Sequence, residues 1–313
     1  MPPARWLGKP YYSVSAYLQN TLGCKCYKIA LDAHMTCPNR DGTLDTRGCL
    51  FCSAGGSGDF AVPGRDIQEQ LQAGLALFGK KQVGRRYIAY FQAYTNTYAA
   101  PEVLRPLYVR ALEHPDICGI SIATRPDCLP HPVLRLLAEL RSLYPDKLIW
   151  IELGLQTIHK ETARLLRRGY ELSCFETAMK NLHMLEIPAI IHVILGLPGE
   201  TANQMLETIH YLNARTPFGI KLQLLHVLEG TDLAVLYRAG AFPVLEKEEY
   251  LDILVNCLTH LSPDIVVHRV TGDGPKSLLI APLWSRDKRD VLNSLHLKMR
   301  LENAFQGKAF CGL

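Results

Sequence analysis

A parallel α/β barrel is the fold this 313-residue sequence predicts, and three observations carry it. Short, nearly continuous apolar runs alternate with longer helical patterns, as in parallel strands covered on both faces. From Tyr87 onward the strand starts recur every ~30–40 residues, the size of one βα unit. Polar motifs fall where the strands end, which is where barrel enzymes build their sites.

The elements follow in order. Strand candidates are YKIAL from Tyr27, YIAYF from Tyr87, CGISIA from Cys118, LIWIELG from Leu148, AIIHVILG from Ala189 and IKLQLLHV from Ile220. Helical patterns fill residues 66–78, 101–113, 131–143, 160–168, 174–186 and 201–213, with Pro101 and Ser173 placed as helix-start residues. The strand-end motifs are QAYTNTY (92–98), TRPD (124–127), GLQT (154–157) and GLPGE (196–200). A doubly wound sheet would gather its ligand chemistry at one switch point instead. After about Glu246 the chain reads as a helix, a short strand IVVHRV, a Gly/Pro loop and a charged helix. The expected organisation is a partial (β/α)6 TIM-like barrel over residues 1–245, cysteine loop included, with a C-terminal extension, 246–313, packed on it.

Composition narrows the class. Hydrophobic residues make up 48% and charged residues 20%, so wholesale disorder is excluded. The start, MPPARWLGKPYY, lacks a signal-peptide layout, and no run of about 18 apolar residues occurs, so a cytoplasmic, non-membrane protein is expected. Reducing conditions then point the ten cysteines toward metal binding or catalysis rather than disulfides. A net charge of +4 permits nucleic-acid contact without indicating it.

The cysteines concentrate in CPNRDGTLDTRGCLFC, with spacing Cys37-x11-Cys49-x2-Cys52, directly after the first strand. Cys-x2-Cys puts two thiolates within reach of one metal centre, and Pro38, Asn39, Asp41 and Gly42 keep the segment irregular enough to wrap it. Three thiolates on a four-iron cubane leave one iron open for an exogenous ligand. A Cys3His zinc knuckle with His34 fits the same spacing. Spacing leaves both open.

Motif order adds a resemblance. YYSVSAYLQNTLG, CPNRDGT…GCLFC, YFQAYTNTYA, ISIATRPDCL, IELGLQT, VILGLPGET, KLQLLHVLEGTDLA, HRVTGDGP and LIAPLW occur in this order across nearly the whole chain. Together they resemble the radical S-adenosylmethionine (SAM) superfamily, in particular the YhcC/YtqA (MnmL-like) family, related to the radical SAM domain of Elongator's catalytic subunit. The resemblance implies a [4Fe–4S] cluster on Cys37, Cys49 and Cys52, with SAM chelating the open iron and yielding a 5′-deoxyadenosyl radical. It places Gln92, Thr95, Asn96 and Thr97 near the SAM amino group. Thr124, Arg125, Glu152 and Gln156 should reach the ribose and methionyl part, and backbone around Ile194 and Gly196 the adenine. His34 stands where the family usually has Gly.

The resemblance also implies a function: modification of the tRNA wobble uridine, from 5-carboxymethylaminomethyluridine to 5-aminomethyluridine, with an electron donor such as a flavodoxin or ferredoxin. Acetyl transfer is not expected, because no acetyltransferase region is recognised. The alternatives are a radical SAM enzyme on a small metabolite or peptide, and a zinc-stabilised, non-enzymatic binding protein. No residue is singled out as the catalytic acid or base. Glu152, a carboxylate aimed into the barrel from an apolar run, needs a partner to offset its desolvation. Cys128, His192 and His226 lie near strand ends, and Lys276 in GDGPKS is a candidate phosphate contact or a turn residue. Arg164, Arg167 and Arg168, and likewise Arg286, Lys288, Arg289, Lys298 and Arg300, form basic faces that are either solvated surface, the usual case, or an RNA contact.

Overall fold

The structure, a computed structural model, describes residues 2–79, 86–272 and 274–312. Six strands, β1 (Cys26–Leu31), β2 (Arg86–Phe91), β3 (Ile117–Thr124), β4 (Leu148–Gln156), β5 (Ala189–Leu195) and β6 (Gly219–Leu224), pair in chain order, all parallel. Helix α1 (Val14–Leu22) precedes them. Between them run α2 (Ile67–Gly79), α3 (Pro101–Leu112), α4 (His131–Leu143), α5 (Lys160–Leu165), α6 (Leu172–Met184) and α7 (Ala202–Asn213). The chain continues through β7 (Val227–Leu228), α8 (Asp232–Arg238), α9 (Lys247–His260), β8 (Val266–Arg269), β9 (Leu279–Ala281) and α10 (Lys288–Leu301).

The C-terminal extension does more than cover the barrel. Its strand β8 pairs in parallel with β6 and makes the curled sheet seven-stranded, while β9 pairs antiparallel with β7. The tail is thereby tied to β6 and to β7, which follows it. Among the described residues no helix is long and apolar enough to cross a membrane.

Strand alternation sends one set of side chains out under the helices and the other into the barrel. The outward set, including Ile29, Phe91, Ile122, Leu153, Ile191 and Leu222, packs with the helices in the main core. Each such fully buried aliphatic or aromatic side chain contributes about 1.5–3 kcal/mol. The inward set is layered. At the lower end Ile88, Cys118, Trp150 and Ile190 pack against Leu18 of α1, which plugs the barrel. Helix α1 is an addition to the elements expected from sequence. Ser13 caps its start by accepting from the Ala16 N–H, and Gly23 ends it in the left-handed conformation.

Candidate active site

The cysteine loop, residues 37–52, is built from turns rather than regular structure. Cys37 O accepts the Arg40 N–H at 2.8 Å, Pro38 O accepts Leu44 N–H at 2.8 Å, and Cys49 O accepts Cys52 N–H at 3.0 Å. Leu50 N–H donates to Leu166 O at 3.0 Å, docking the loop beside α5. Asn39, almost fully buried, donates through Nδ2 to Cys49 Sγ at 3.3 Å and to Arg167 O at 2.6 Å. Arg40 reaches back to Cys52 O at 3.1 Å and Ser53 O at 2.5 Å. Gly169 is required here: its φ is +82°, and a Cβ would stand 2.8 Å from Asn39 Oδ1.

Downstream, the Gly-rich run SAGGSGDF packs under the loop after β2. Tyr94 donates N–H to Gly56 O at 2.8 Å and OH to Ala54 O at 2.6 Å. A Cβ on Gly56 would lie 2.2 Å from the Tyr94 ring, so only glycine fits.

Cys37, Cys49 and Cys52 all line one cavity of about 240 Å³ at the barrel mouth, together with Gln92, Thr95, Thr124, Arg125, Gln156 and Ile194. Burial pushes the Cys49 thiol up to about 12, and raises Cys52 against the opposing charge of Arg40. A metal centre must therefore displace protons to bind thiolates here. Asn39 and Arg40 supply the hydrogen bond and positive charge that favour anionic sulfur. Among the described residues, no three His, Cys, Asp or Glu side chains are gathered to hold a single ion. Three cysteines on one cavity, with a hydrogen-bond donor and a cation at their sulfurs, suit a cluster held by thiolates.

His34 corrects the zinc expectation. Its φ of +55° turns it away, its side chain is 63% exposed, and its Nδ1 faces Asp32 Oδ2 at 3.7 Å. It does not line the cavity, so the Cys3His set is not formed.

Beneath the mouth lies a layer of buried charge. Glu152, fully buried on β4, accepts from Lys28 Nζ at 2.5 Å, Ser121 Oγ at 2.6 Å, His192 Nε2 at 2.7 Å and Lys221 Nζ. These four donors come from β1, β3, β5 and β6, so one carboxylate ties most of the barrel together. Burial alone would raise the Glu152 carboxyl, but Lys221, Lys28 and the His192 hydrogen bond hold it well below the usual range. Burial brings Lys221 down to about 7 and, with the Lys221 charge, His192 down to about 4. His192 is thus neutral near pH 7 and donates its Nε2 proton to Glu152.

The residues expected to surround SAM divide three ways. Gln92, Thr95, Thr124, Arg125, Gln156 and Ile194 reach the cavity; Gln156 does so from a bulge at the end of β4 with φ +62°. Glu152 also lines its floor, but its four acceptor positions are taken by protein donors. Asn96, Thr97 and Gly196 do not line it. Asn96 Nδ2 donates to Phe91 O and Ala123 O, both at 3.1 Å. Thr97 Oγ1 is shared between Thr124 Oγ1 and Cys128 O, both at 2.5 Å, and Gly196 N–H meets Met205 Sδ at 3.4 Å. These three build the mouth's frame. Arg125 is clamped by Asp127 at 2.7 and 2.9 Å, while Cys128 is buried behind it and outside the cavity lining. Sequence reasoning missed Lys28 and Lys221. The available signal was a lysine at an inward position of an otherwise apolar strand. The cavity is also lined by His192, Gln223, His226 and Arg269, from β5 onward.

Comparison with known proteins follows this geometry. Residues 46–212 match the model of the Radical SAM superfamily, and residues 217–300 that of the Radical_SAM C-terminal domain. YtqA of Bacillus subtilis is 41% identical over 303 residues, covering 96% of this chain and 93% of that protein. YhcC of Escherichia coli K12 is 35% identical, covering 93% of each. A protein of Dehalococcoides mccartyi named tRNA uridine(34) acetyltransferase is 27% identical over 58% of this chain and 40% of its own length. The solved structure of archaeal Methanocaldococcus infernus Elp3 shares the fold with a TM-score of 0.68 at 17% identity, over 90% of this chain and 64% of that one.

Proposed function

The chain belongs to the radical SAM superfamily, and on that premise we propose that it modifies tRNA at the wobble uridine, converting 5-carboxymethylaminomethyluridine to 5-aminomethyluridine. It is a radical SAM enzyme of the YhcC/YtqA family, which uses a [4Fe–4S] cluster and SAM. Cys37, Cys49 and Cys52 would hold the cluster, with Asn39 and Arg40 supporting the sulfur charge. Gln92, Thr95, Thr124, Arg125, Gln156 and Ile194 would border SAM. Bound there, these cofactors supply a 5′-deoxyadenosyl radical that abstracts hydrogen from the substrate, while the protein positions and shields the reaction. A flavodoxin- or ferredoxin-type donor would provide the electron.

The observation that carries the tRNA reading is the likeness to the Dehalococcoides mccartyi protein named tRNA uridine(34) acetyltransferase. That likeness covers 58% of this chain but only 40% of the relative, so part of that protein corresponds to this chain and acetyl transfer is not proposed. The cavity supports a polar substrate, because His192, Gln223, His226 and Arg269 line it beside the cysteines and the expected SAM contacts. Nδ1 of His192 is left as an acceptor, since Nε2–H donates a hydrogen bond to Glu152.

The test is nucleoside analysis of tRNA from a strain lacking this gene. The carboxymethylaminomethyl nucleoside should accumulate and the aminomethyl nucleoside disappear. Unchanged wobble nucleosides would move the substrate to a small metabolite or peptide.

A further inference from the structure

A second cavity, about 560 Å³, adjoins the first and shares His226 and Gly274 with it. Among the described residues its charged lining is lopsided: Lys276, Arg286, Lys288 and Arg289 against Asp287. Asp287 Oδ1 caps α10 by accepting the Arg289 and Asp290 N–H groups at 3.0 Å, and its carboxylate also faces Lys276 and Arg289, so the groove keeps three positive charges in excess. Arg286 is held in place by Lys276 O at 3.2 Å and Leu279 O at 3.3 Å. Asp273, within GDGPKS, lies outside the described residues.

The groove also carries an aromatic. Phe60, 42% exposed, ends the segment that follows Cys52, and Lys288 Nζ lies 5.7 Å from its ring centroid. His226 pins the wall between the cavities: its Nδ1 accepts the Gly274 N–H at 3.0 Å, and Nε2 pairs with Ser285 Oγ at 3.0 Å. Clustered cations beside an exposed ring are what single-stranded nucleic acid needs, phosphates meeting the charges and a base stacking on the aromatic. The cluster of cations disfavours a cationic partner.

We propose that this groove is the docking site for the RNA backbone next to the reacting nucleotide, with Lys276, Arg286, Lys288 and Arg289 meeting phosphates and Phe60 stacking a base. The proposal rests on the tRNA reading above and adds where the RNA lies. Phosphate contacts position without reading sequence, so the groove sets the approach to the cavity rather than the choice of base.

The experiment measures binding of tRNA by the cluster-loaded enzyme over a range of salt concentrations. The double variant Lys288→Glu/Arg289→Glu should weaken binding about 10-fold or more at low salt and reduce the salt slope by roughly 1 to 2. Phe60→Ala should weaken binding about 10-fold with the slope unchanged. Arg135→Glu, an exposed position on α4, should change neither. If wild type binds tRNA but the double variant keeps the same affinity and slope, the groove assignment is overturned and the tRNA reading stands. Absence of salt-dependent tRNA binding by wild type overturns both. Competition by polyglutamate as strong as that by tRNA at equal charge would reject RNA as the ligand. No loss in Phe60→Ala would reject the stacking contact.

Discussion

Replacing Glu152 with glutamine is expected to destabilise the fold by about 3–5 kcal/mol, the cost of breaking a buried ion pair from one side. The carboxylate is fully buried and is the shared acceptor for Lys28, Ser121, His192 and Lys221. Glutamine keeps the shape but removes the charge, and one of its two terminal atoms becomes a donor facing donors. The two ammonium groups then stand in the barrel without the anion that offsets their burial.

The pH dependence has a definite sign. Lys221 sits at about 7 in the folded protein, lowered by burial from 10.5, with Glu152 opposing the shift. Between those values the unfolded chain binds the extra proton, so this group's penalty is full below about 7 and eases as pH rises. Without Glu152 the folded value drops further, and relief begins at lower pH. The deficit of Glu152→Gln against wild type should therefore be larger at pH 6 than at pH 8, as measured by denaturant melts. A Glu152→Gln protein as stable as wild type would contradict the reading of this layer as a structural anchor.

The net expectation is simple: the deficit shrinks as pH rises toward about 7, where only the variant is shedding the Lys221 proton, and levels off above it. A deficit that grows between pH 6 and pH 8 would contradict this assignment of charge to Lys221.

The second large effect concerns the cysteines. Cys37→Ala, Cys49→Ala and Cys52→Ala should each remove bound iron from the anaerobically prepared protein, where wild type carries about four irons and four sulfides. The loop's own turns and the Asn39 bond to Arg167 O do not depend on any one thiol, so the apo variants should still fold. His34→Ala is the informative control. Its ring faces Asp32 and stands outside the cavity, so iron content should be unchanged. A colourless wild-type protein with stoichiometric zinc, lost on His34→Ala, would contradict the cluster assignment.

Much of this was legible in the sequence because it is local. The starts of β1 to β6 and the helices between them follow from apolar runs and start residues such as Pro101, whose effects act within a few positions. The cysteine loop was legible for the same reason, through spacing and turn residues. What was not legible depends on register and topology. Lys28, Glu152 and Lys221 are separated by 124 and 69 positions and meet only because β1, β4 and β6 curl around one axis. The pairing of β8 with β6 is equally remote from any local pattern. Asn96 and Thr97 looked like ligand contacts because they are polar strand-end residues. Their side chains instead satisfy backbone carbonyls that the tight mouth would otherwise leave buried. His34 fits zinc by spacing, and only the folded chain shows it exposed beside Asp32 and outside the cavity.

The central claim is that this chain performs radical SAM chemistry on the tRNA wobble uridine. Its most direct test is a single reaction of the purified, cluster-loaded enzyme with SAM, a one-electron reductant and tRNA bearing 5-carboxymethylaminomethyluridine. The account predicts that this nucleoside converts to 5-aminomethyluridine with 5′-deoxyadenosine formed alongside, and that neither change occurs with Cys37→Ala. Formation of 5′-deoxyadenosine by wild type while the wobble nucleoside stays intact would contradict it.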